Sequence, residues 1–464
     1  MKKIKTTDFT DCHGSEKTGN PSAPIRENPC HPWSKGSEEE GETTDFTDCH
    51  GSEKTGTISA SIPENPCHPW SKKCLGDLCL PTSSWKPLSQ LRDRLTYVDV
   101  SAICSERLAI VTPQDLKATD APSRARKIIE HGDTLFATVR PALRRIAQVP
   151  PNLAGEIAST AFCVIRPNSK KLNPDFAFFA VQTDDFVEAV VRHERGASYP
   201  AVRDKDVFNV VIPLPSLPEQ RAIAVVLSKV QEAAEVEGEL LSVTRELKQA
   251  ALRQLFTRGL RDEPQKETEI GPVPESWEVE RVVDCVLPFR FDRSQQLPAS
   301  QYSATGRFPI VDQGQALIAG YCDDDRRLIR SQEPLIIFGD HTRCLKFIDF
   351  PFVLGADGTK PLIACSNWDA STLFYALSTV QVEARGYNRH FKQFSEKLVA
   401  RPKDITEQRE IAAILRAIDD KIAYHEKRQR LLRELFRTLL HDLMTGRRRV
   451  TGVELATSPE GTAR

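Results

Sequence analysis

The sequence predicts an α/β fold built twice over: two globular α/β domains, each followed by one long helix. The first observation is that Glu-Gln-Arg occurs at 219–221 and again 188 residues later, at 407–409. The second is that each copy opens a long stretch of apolar residues at helical spacing. The third is that a segment with short apolar strands precedes each stretch. This repeated order indicates an internal duplication.

The first 73 residues differ in composition from the rest. TTDFTDCHGSEKTG stands at 6–19 and again at 43–56, and NPCHPWSK at 28–35 and again at 65–72. The repeated unit has few large apolar groups that could offset the entropy cost of ordering. We therefore predict that residues 1–73 are disordered tandem repeats. Zinc binding by the Cys-His pairs is an alternative, but adjacent ligands do not match the usual spacing of zinc ligands.

Residues 74–216 are predicted to form the first α/β domain. A Gly-Asp turn precedes a strand-like run at 130–139, and a second short apolar strand follows at 162–165. Residues 175–193 carry apolar side chains at helical spacing. Three prolines, at positions 213, 215 and 218, then make a stiff extended lead into the first long helix.

Residues 263–403 are predicted to form the second α/β domain. Apolar strands are expected at 334–338 and 344–348, followed by a turn at Asp357 and Gly358. A helix is expected near 370–380. The order of strands and helix resembles that of the first half.

The two long helices are assigned to 217–262 and 404–450, with a flexible tail at 451–464. Apolar residues of the second helix recur at alternating steps of four and three, which is the a/d spacing of a coiled coil. Each helix would be about 55–60 Å long, so we expect the two to pair with each other. Two unrelated amphipathic helices on separate domains are the alternative. The residues expected along the helix pair are Ile223, Leu227, Val230, Leu255, Ile411, Leu415, Ile418, Ile422, Leu432, Phe436, Leu439 and Leu443.

Composition limits the possible functions. Lys and Arg total 63 against 64 for Asp and Glu, so nucleic-acid binding would need local basic patches or partner chains. Twelve cysteines would suggest disulfides in a secreted protein. However, no apolar signal segment follows Met1, and no run approaches eighteen apolar residues. We therefore expect a reduced, cytoplasmic protein without a membrane span.

Motifs needed for catalysis are not found in the sequence. There is no GxxxxGK[ST] phosphate loop. NPDF at 173–176 departs from the Asn-Pro-Pro-aromatic motif of adenine methylases and has no Gly-rich cofactor loop beside it. No Ser-His-Asp or Cys-His set can be assembled from spacing alone. The prediction is a binding protein that is not an enzyme and holds no metal or cofactor.

Basic and polar residues cluster at corresponding places in the two halves. Arg and Lys suit phosphate contacts, while Arg, Asn, Gln or His at loop tips suit base edges. Glu-Arg-Gly at 194–196 and Ala-Arg-Gly at 384–386 lie at nearly the offset of the helices, which favours one DNA-binding surface present twice. Any single member could equally be a solvated charge or a cap. The candidates are Arg140, Arg144, Arg145, Ser198, Tyr199, Arg203 and Lys205 in the first half, and His341, Thr342, Arg343, Lys346, Arg385, Tyr387, Asn388, Arg389, His390 and Lys392 in the second.

Several longer motifs together resemble the specificity subunit of type I restriction-modification systems. They are IPLPSLPEQRAIA, ITEQREIAAIL, EIGPVPESWEV after LFTRGLR, FGDHTRCLKFID, FVLGADGTKPL and GYNRHFKQF. The resemblance covers about residues 85–450 and rests on the order and spacing of these motifs. It implies two target-recognition domains that each read half of a split double-stranded DNA sequence. It also implies that the two helices pack antiparallel, as a spacer and as a docking surface for partner subunits.

The partners follow from the same resemblance. They would be two copies of a methyltransferase subunit and a restriction/translocase subunit, which would use S-adenosylmethionine, ATP and Mg²⁺. The sequence departs from the family in its 37-residue repeats and in a short opening of the first domain, where only SSWKPLSQL precedes YVDVSAI. A coiled-coil adaptor without DNA binding and the specificity subunit of a type II or orphan methylation system are the alternatives.

Overall fold

The structure is a computed structural model that describes residues 70–86, 92–383 and 389–450. The predicted repeats up to residue 69 and the predicted tail at 451–464 lie outside these residues. Within the described ranges, no helix combines the length and the apolar character needed to cross a lipid bilayer.

The first domain consists of short strands and short helices. Its strands are β1 Ser71–Cys74, β2 Arg94–Val98, β3 Ile103–Cys104, β4 Ala109–Ile110, β5 Gln114–Lys117, β6 Ala125–Ile128, β7 Thr134–Ala137, β8 Ile146–Gln148, β9 Ile157–Ser159, β10 Phe162–Ile165 and β11 Val211–Leu214. Its helices are α1 Pro174–Ala180, α2 Asp184–Val191 and α3 Asp204–Phe208. The long helix α4, Leu217–Arg258, follows directly.

The second domain has the same construction and leads into a second long helix. Its strands are β12 Gln265–Thr268, β13 Gly271–Pro274, β14 Glu278–Arg281, β15 Val286–Pro288, β16 Phe308–Val311, β17 Gly320–Cys322, β18 Leu328–Ile329, β19 Leu335–Gly339, β20 Leu345–Ile348, β21 Phe352–Leu354, β22 Thr359–Ala364 and β23 Leu398–Arg401. Its helices are α5 Val282–Cys285, α6 Ala370–Ser378 and α7 Phe391–Ser395, and the long helix is α8 Ile405–Met444.

The strand order confirms the duplication. A four-stranded sheet runs β5-β2-β9-β6 in the first domain and β17-β16-β21-β18 in the second. In each of these two sheets the central pair is parallel and the outer pairs are antiparallel. A second sheet holds β10-β7-β8 in the first domain and β15-β22-β19-β20 in the second. Strands β7 and β19 therefore occupy equivalent positions.

The first domain begins earlier than the predicted boundary at residue 74. Strand β1 pairs with β11 as β14 pairs with β23, and buried Trp70 precedes β1 as Trp277 precedes β14. Trp70 Nε1 donates a hydrogen bond to Glu219 Oε2 at 3.2 Å. The last three residues of the second NPCHPWSK segment, 70–72, thus belong to the fold, and β1 supplies an opening strand to the domain whose opening looked short in the family resemblance.

Helices α4 and α8 pack antiparallel, as the resemblance implied. Lys248 Nζ lies 2.5 Å from Asp419 Oδ1 near one end of the pair. At the other end, Arg449 Nη2 donates to Glu219 Oε2 at 3.0 Å. The helices end at Arg258 and Met444, earlier than predicted, because Gly259 and Gly446 take left-handed backbone angles that stop a helix.

Several of the apolar residues predicted along the helix pair are buried in the cores of the two domains. Ile223 and Leu227 are buried in the first-domain core together with Leu443 of the antiparallel partner. In the second-domain core, Leu255 is buried with Ile411 and with Leu415. Each such side chain contributes about 1.5–3 kcal/mol on burial. Both helices therefore anchor both domains. The other predicted positions are half-buried: Val230, Ile418, Ile422, Leu432, Phe436 and Leu439.

The glutamine of each Glu-Gln-Arg repeat joins helix to domain in the same way. Gln220 Oε1 accepts a hydrogen bond from Asn173 N at 2.8 Å, and Gln408 Oε1 accepts one from Asp369 N at 2.7 Å. Asn173 and Asp369 are the N-caps of α1 and α6. Because both glutamines are fully buried, these contacts fix the angle between each long helix and its domain.

Candidate nucleic-acid interface

The candidate surface lies where β7 and β19 end. Val202 N donates to Thr138 O at 2.9 Å just beyond β7, and His390 N donates to Asp340 O at 2.9 Å just beyond β19. These contacts bring the first turns of α3 and α7 beside the strand ends. The structure therefore assembles each predicted cluster from two separate stretches of sequence.

In the first domain, Arg140 and Tyr199 form an exposed pair. Arg140 N donates to Pro200 O at 2.8 Å, and its Nη2 donates to Ser198 O at 3.3 Å. The Arg140 Cζ atom lies 5.3 Å from the centre of the Tyr199 ring, and 74% of Tyr199 is exposed. A cation over an exposed aromatic ring is attracted to it by about 0.5–1 kcal/mol. The pair thus presents a guanidinium and a ring edge to solvent.

Arg203 and Lys205 lie beside this pair on α3. Both side chains are exposed. Arg203 Nε lies 3.7 Å from Asp206 Oδ2, and the backbone N–H of Arg203 donates to the same carboxylate, which lowers the pKa of Asp206. The two cations can approach a phosphate without being desolvated.

Arg144 and Arg343 occupy equivalent positions two residues before β8 and β20. Both have left-handed backbone angles, with φ of 49° and 62°. Arg144 Nη1 donates to Gln182 O at 3.1 Å, and Arg343 Nη1 donates to Val382 O at 2.7 Å. Each guanidinium thus ties its loop to the segment after α1 or α6. These contacts give both residues a structural role within the chain.

Two predicted DNA contacts are buried and do not lie on the surface. Lys346 is 5% exposed, and its Nζ donates to Asp312 O at 2.7 Å and to Ala316 O at 2.5 Å. Burial lowers the pKa of this lysine. His390 is 1% exposed, and its Nδ1 lies 3.0 Å from Asp340 O. The sequence alone could not show that Lys346 and His390 are buried, because each lies close to charged or polar loop residues that are exposed.

Arg145 has an internal role similar to that of Lys346. Its Nη1 donates to Val100 O at 2.8 Å, just after β2, while Lys346 holds the turn just after β16. Strands β2 and β16 are the equivalent strands of the two four-stranded sheets. Both domains therefore use a cation to fix the same turn.

Besides Arg343, the exposed second-domain candidates among the described residues are Thr342, Arg389 and Lys392, and His341 is half-buried. Arg389 Nη2 lies 3.6 Å from Asp357 Oδ2, and two-thirds of its side chain is exposed. Arg385, Tyr387 and Asn388 lie outside the described residues. Exposed pairs of this kind are worth at most about 1 kcal/mol, so Arg389 can exchange Asp357 for a phosphate or base.

The helix pair exposes apolar side chains that the sequence reading missed. Val236, Val243 and Leu247 of α4 are 48%, 63% and 53% exposed. The residues 188 positions later are Tyr424, Leu431 and Leu435 of α8, which are 54%, 52% and 46% exposed. A two-fold axis perpendicular to an antiparallel pair keeps both rows on one side. This apolar face could have been found from the heptad spacing of 236, 240, 243 and 247.

Comparison with known proteins agrees with this arrangement. The family model "Type I restriction modification DNA specificity domain" matches residues 68–244. The putative type I restriction enzyme MjaX specificity subunit of Methanocaldococcus jannaschii is 24% identical over 376 residues, which are 77% of this chain and 87% of that protein. The EcoR124I/EcoR124II specificity subunit of Escherichia coli is 30% identical over 131 residues, 25% of this chain and 32% of that protein.

A solved structure has the same fold. The type I restriction-modification system S subunit from M. genitalium aligns with a TM-score of 0.54 at 15% identity, over 82% of this chain and 98% of that chain. The duplicated domains, the antiparallel helices and these similarities lead to one conclusion. Residues 68–244 match the type I restriction modification DNA specificity domain, and the chain as a whole is similar to type I restriction enzyme specificity subunits.

Proposed function

We propose that this chain is the non-catalytic subunit that selects a bipartite double-stranded DNA target for a type I restriction-modification complex. The observation that carries the proposal is the duplicated loop surface beyond β7 and β19, with the Arg140 and Tyr199 pair in one domain and Arg389 in the other. Each surface offers exposed arginine, the side chain that most often reads guanine, and groups suited to phosphate contacts.

The helix pair would set the distance between the half-sites. Helix α4 has 42 residues and is about 63 Å long. Since the buried residues of both helices belong to both domain cores, the pair cannot bend at one end without disturbing a core. A rigid spacer of this kind would leave a fixed number of unread base pairs between the two half-sites.

The exposed apolar face supports docking of two methyltransferase subunits. Large apolar side chains in equivalent rows on α4 and α8 are unusual on a surface without a partner. A repeated row suits two identical partners. Under this proposal the methyltransferase subunits bind S-adenosylmethionine, and a restriction/translocase subunit with ATP and Mg²⁺ completes the complex in the cytoplasm.

The test is methylome sequencing of cells that express the full chain with its methyltransferase subunit. The expected result is one methylated motif with two specific halves and a fixed gap. Cells expressing the methyltransferase subunit alone are the control and should show no such motif. A motif that is continuous, or methylation that does not depend on this chain, would contradict the proposal. ATP-dependent cleavage on addition of the restriction subunit would distinguish a type I system from a modification-only system.

A further inference from the structure

The turn after β16 is held more firmly than an ordinary surface loop. Asp312 Oδ1 accepts a hydrogen bond from Gly314 N at 2.8 Å, which closes the turn. The buried Lys346 ammonium donates to the carbonyls at both ends of the turn, Asp312 O and Ala316 O. A buried ammonium must keep such acceptors, so the backbone from 312 to 316 is fixed from below.

Gln313 links this turn to two other loops of the second domain. Its Oε1 accepts a hydrogen bond from His341 N at 3.2 Å, and its Nε2 donates to Asp357 O at 2.9 Å. The Thr342 hydroxyl donates to Gln313 O. One side chain and its own carbonyl therefore join the loops that follow β16, β19 and β21.

The three loops approach each other so closely that glycine is needed at the contacts. A Cβ atom at Gly339 would lie 2.8 Å from Gln313 O. Gly358 has a φ of +88°, and a Cβ atom there would lie 2.8 Å from Gln313 Oε1. Neither position has room for a side chain without displacing Gln313. The two glycines therefore allow both loops to approach Gln313 closely.

The second half of the turn and the two residues that follow it, by contrast, face solvent. Gln315 and Ala316 are exposed, and Leu317 and Ile318 are 48% and 37% exposed. Since Gln313 is bonded to the loops that carry Thr342 and Asp357, this segment lies on the same loop cluster as Arg389. A rigid support beneath an exposed amide and two apolar side chains is the arrangement expected of a base-reading loop.

We propose that residues 313–318 form a base-reading loop of the second domain, in which Gln315 contacts a base edge and Gln313 and Lys346 act as positioning residues. A glutamine amide can donate to and accept from adenine in the major groove, and apolar side chains can contact the thymine methyl group. The ligand is thus an A·T pair of double-stranded DNA. This inference rests on the proposed DNA-reading function.

The first domain also holds the turn after its equivalent strand with an aspartate and a cation, although the contacts differ. Asp99 Oδ1 accepts from Val100 N, the next residue, at 2.8 Å, whereas Asp312 Oδ1 accepts from Gly314 N, two residues further on. Arg145, half-buried just before β8, donates to Val100 O, whereas Lys346 lies within β20. Both domains therefore support the turn after β2 or β16 with a cation, from positions that are not equivalent.

The experiment compares methylomes of cells that express the full chain, wild type or variant, with its methyltransferase subunit. Gln315→Ala should relax one A·T position of one half-site by about 5- to 150-fold, which corresponds to about 1–3 kcal/mol of discrimination. Gln313→Ala should blur several positions of that half-site, because three loops lose their common support. Gln332→Ala, an exposed glutamine near the opposite end of β19, is the matched control and should leave the motif unchanged.

Each outcome decides a separate point. A wild-type chain that directs no bipartite motif would overturn the proposed function and this inference together. A wild-type bipartite motif that Gln315→Ala leaves intact, or loosens equally in both halves, would overturn the inference alone. Thermal unfolding of purified Gln313→Ala tests its fold. A motif changed in one half with an unchanged melting temperature supports positioning, whereas a motif unchanged in a folded variant refutes it.

Discussion

His425 Nδ1 lies 2.8 Å from Glu237 Oε2 in the middle of the helix pair, and the two residues are 188 positions apart. That separation is also the offset of the duplicated helices, so Glu237 and His425 are the same position in the two copies. They meet because an antiparallel pair brings its central positions together. The duplicated sequence has diverged here into two side chains that complement each other.

The first prediction concerns this central pair. Both side chains are 7% exposed, and Arg428 Nε adds a second contact to Glu237 Oε1 at 2.9 Å. Glu237→Ala should therefore lower the free energy of unfolding by about 3 kcal/mol, because it leaves a buried imidazole and a cation without their carboxylate. Denaturant unfolding of the full chain measures the loss. Glu239→Ala, two residues away and exposed, should change stability by less than about 0.5 kcal/mol.

A double replacement separates the polar contact between Glu237 and His425 from simple packing. Glu237→Leu combined with His425→Leu should restore most of the stability, since apolar groups of similar size often replace a buried pair without loss. If the double variant is as unstable as Glu237→Ala, the contact stabilises the helix pair through packing that leucine cannot reproduce. The loss of the carboxylate would then not explain the instability of Glu237→Ala.

The second prediction concerns the start of the fold. Deleting residues 1–63 should leave the melting temperature unchanged, because the repeated units are polar and carry few large apolar groups that could form a core. Deleting residues 1–73, the range that the sequence analysis predicted to be disordered, removes Trp70 and most of β1. Losing a buried tryptophan costs about 3–5 kcal/mol. Trp70→Ala in the full chain is the matched variant, and thermal unfolding should place it close to the longer deletion.

Sequence reasoning found the elements that repeat and missed those that depend on three-dimensional contact. The Glu-Gln-Arg repeat located the long helix starts within one residue, at Leu217 and Ile405. The paired helices followed from the heptad spacing. Trp70 was assigned to the repeats because its environment comes from Glu219 and Arg449, which are far away in sequence. Lys346 was placed on the surface because nothing local indicates that its strand is buried.

The third prediction concerns the apolar face of the helix pair. Val243→Glu should reduce binding of one methyltransferase subunit, and Val243→Glu with Leu431→Glu should reduce binding of both, because the two residues are equivalent and exposed. The measurement is the number of methyltransferase subunits that co-purify with the chain. Glu246→Gln, exposed on the same helix, is the control. Full co-purification with the double variant would rule out this face as the docking surface.

The fourth prediction concerns the spacer. A four-residue insertion near Arg261, just beyond the end of α4, would disturb the contact of Arg261 with Asp404 without lengthening the helix pair. Seven residues inserted after Glu239 and seven after Lys427 would lengthen both helices at matched points and keep the heptad phase. Two turns add about 10.5 Å, so the gap in the methylated motif should grow by about three base pairs. If the double-insertion variant folds and directs methylation with an unchanged gap, the spacer role is rejected. Either insertion alone should abolish methylation of the motif, because the two helices would then differ in length.

The last prediction separates base reading from phosphate contact. Arg343→Ala should mainly lower the free energy of unfolding, because the guanidinium of Arg343 donates to Val382 O. An altered methylation motif in a variant of unchanged stability would contradict this structural role.

Tyr199→Ala should change the half-site read by the first domain and leave the other half-site intact, because the cation–π contact of Tyr199 is with Arg140 of the same domain.

Lys392, exposed on α7, should behave differently from both, since an ammonium near phosphates carries no sequence information. Lys392→Ala should weaken binding to matched and unmatched duplexes by the same factor, and the slope of log affinity against log salt should fall by about one. Both quantities can be measured by titrating duplexes with the complex of this chain and its methyltransferase subunit at several salt concentrations. Glu396→Ala, which changes charge on the same short segment, should leave the salt slope nearly constant. If Lys392→Ala altered the preferred sequence while the salt slope stayed the same, the lysine would be a base contact, and α7 would lie in the groove instead of along the DNA backbone.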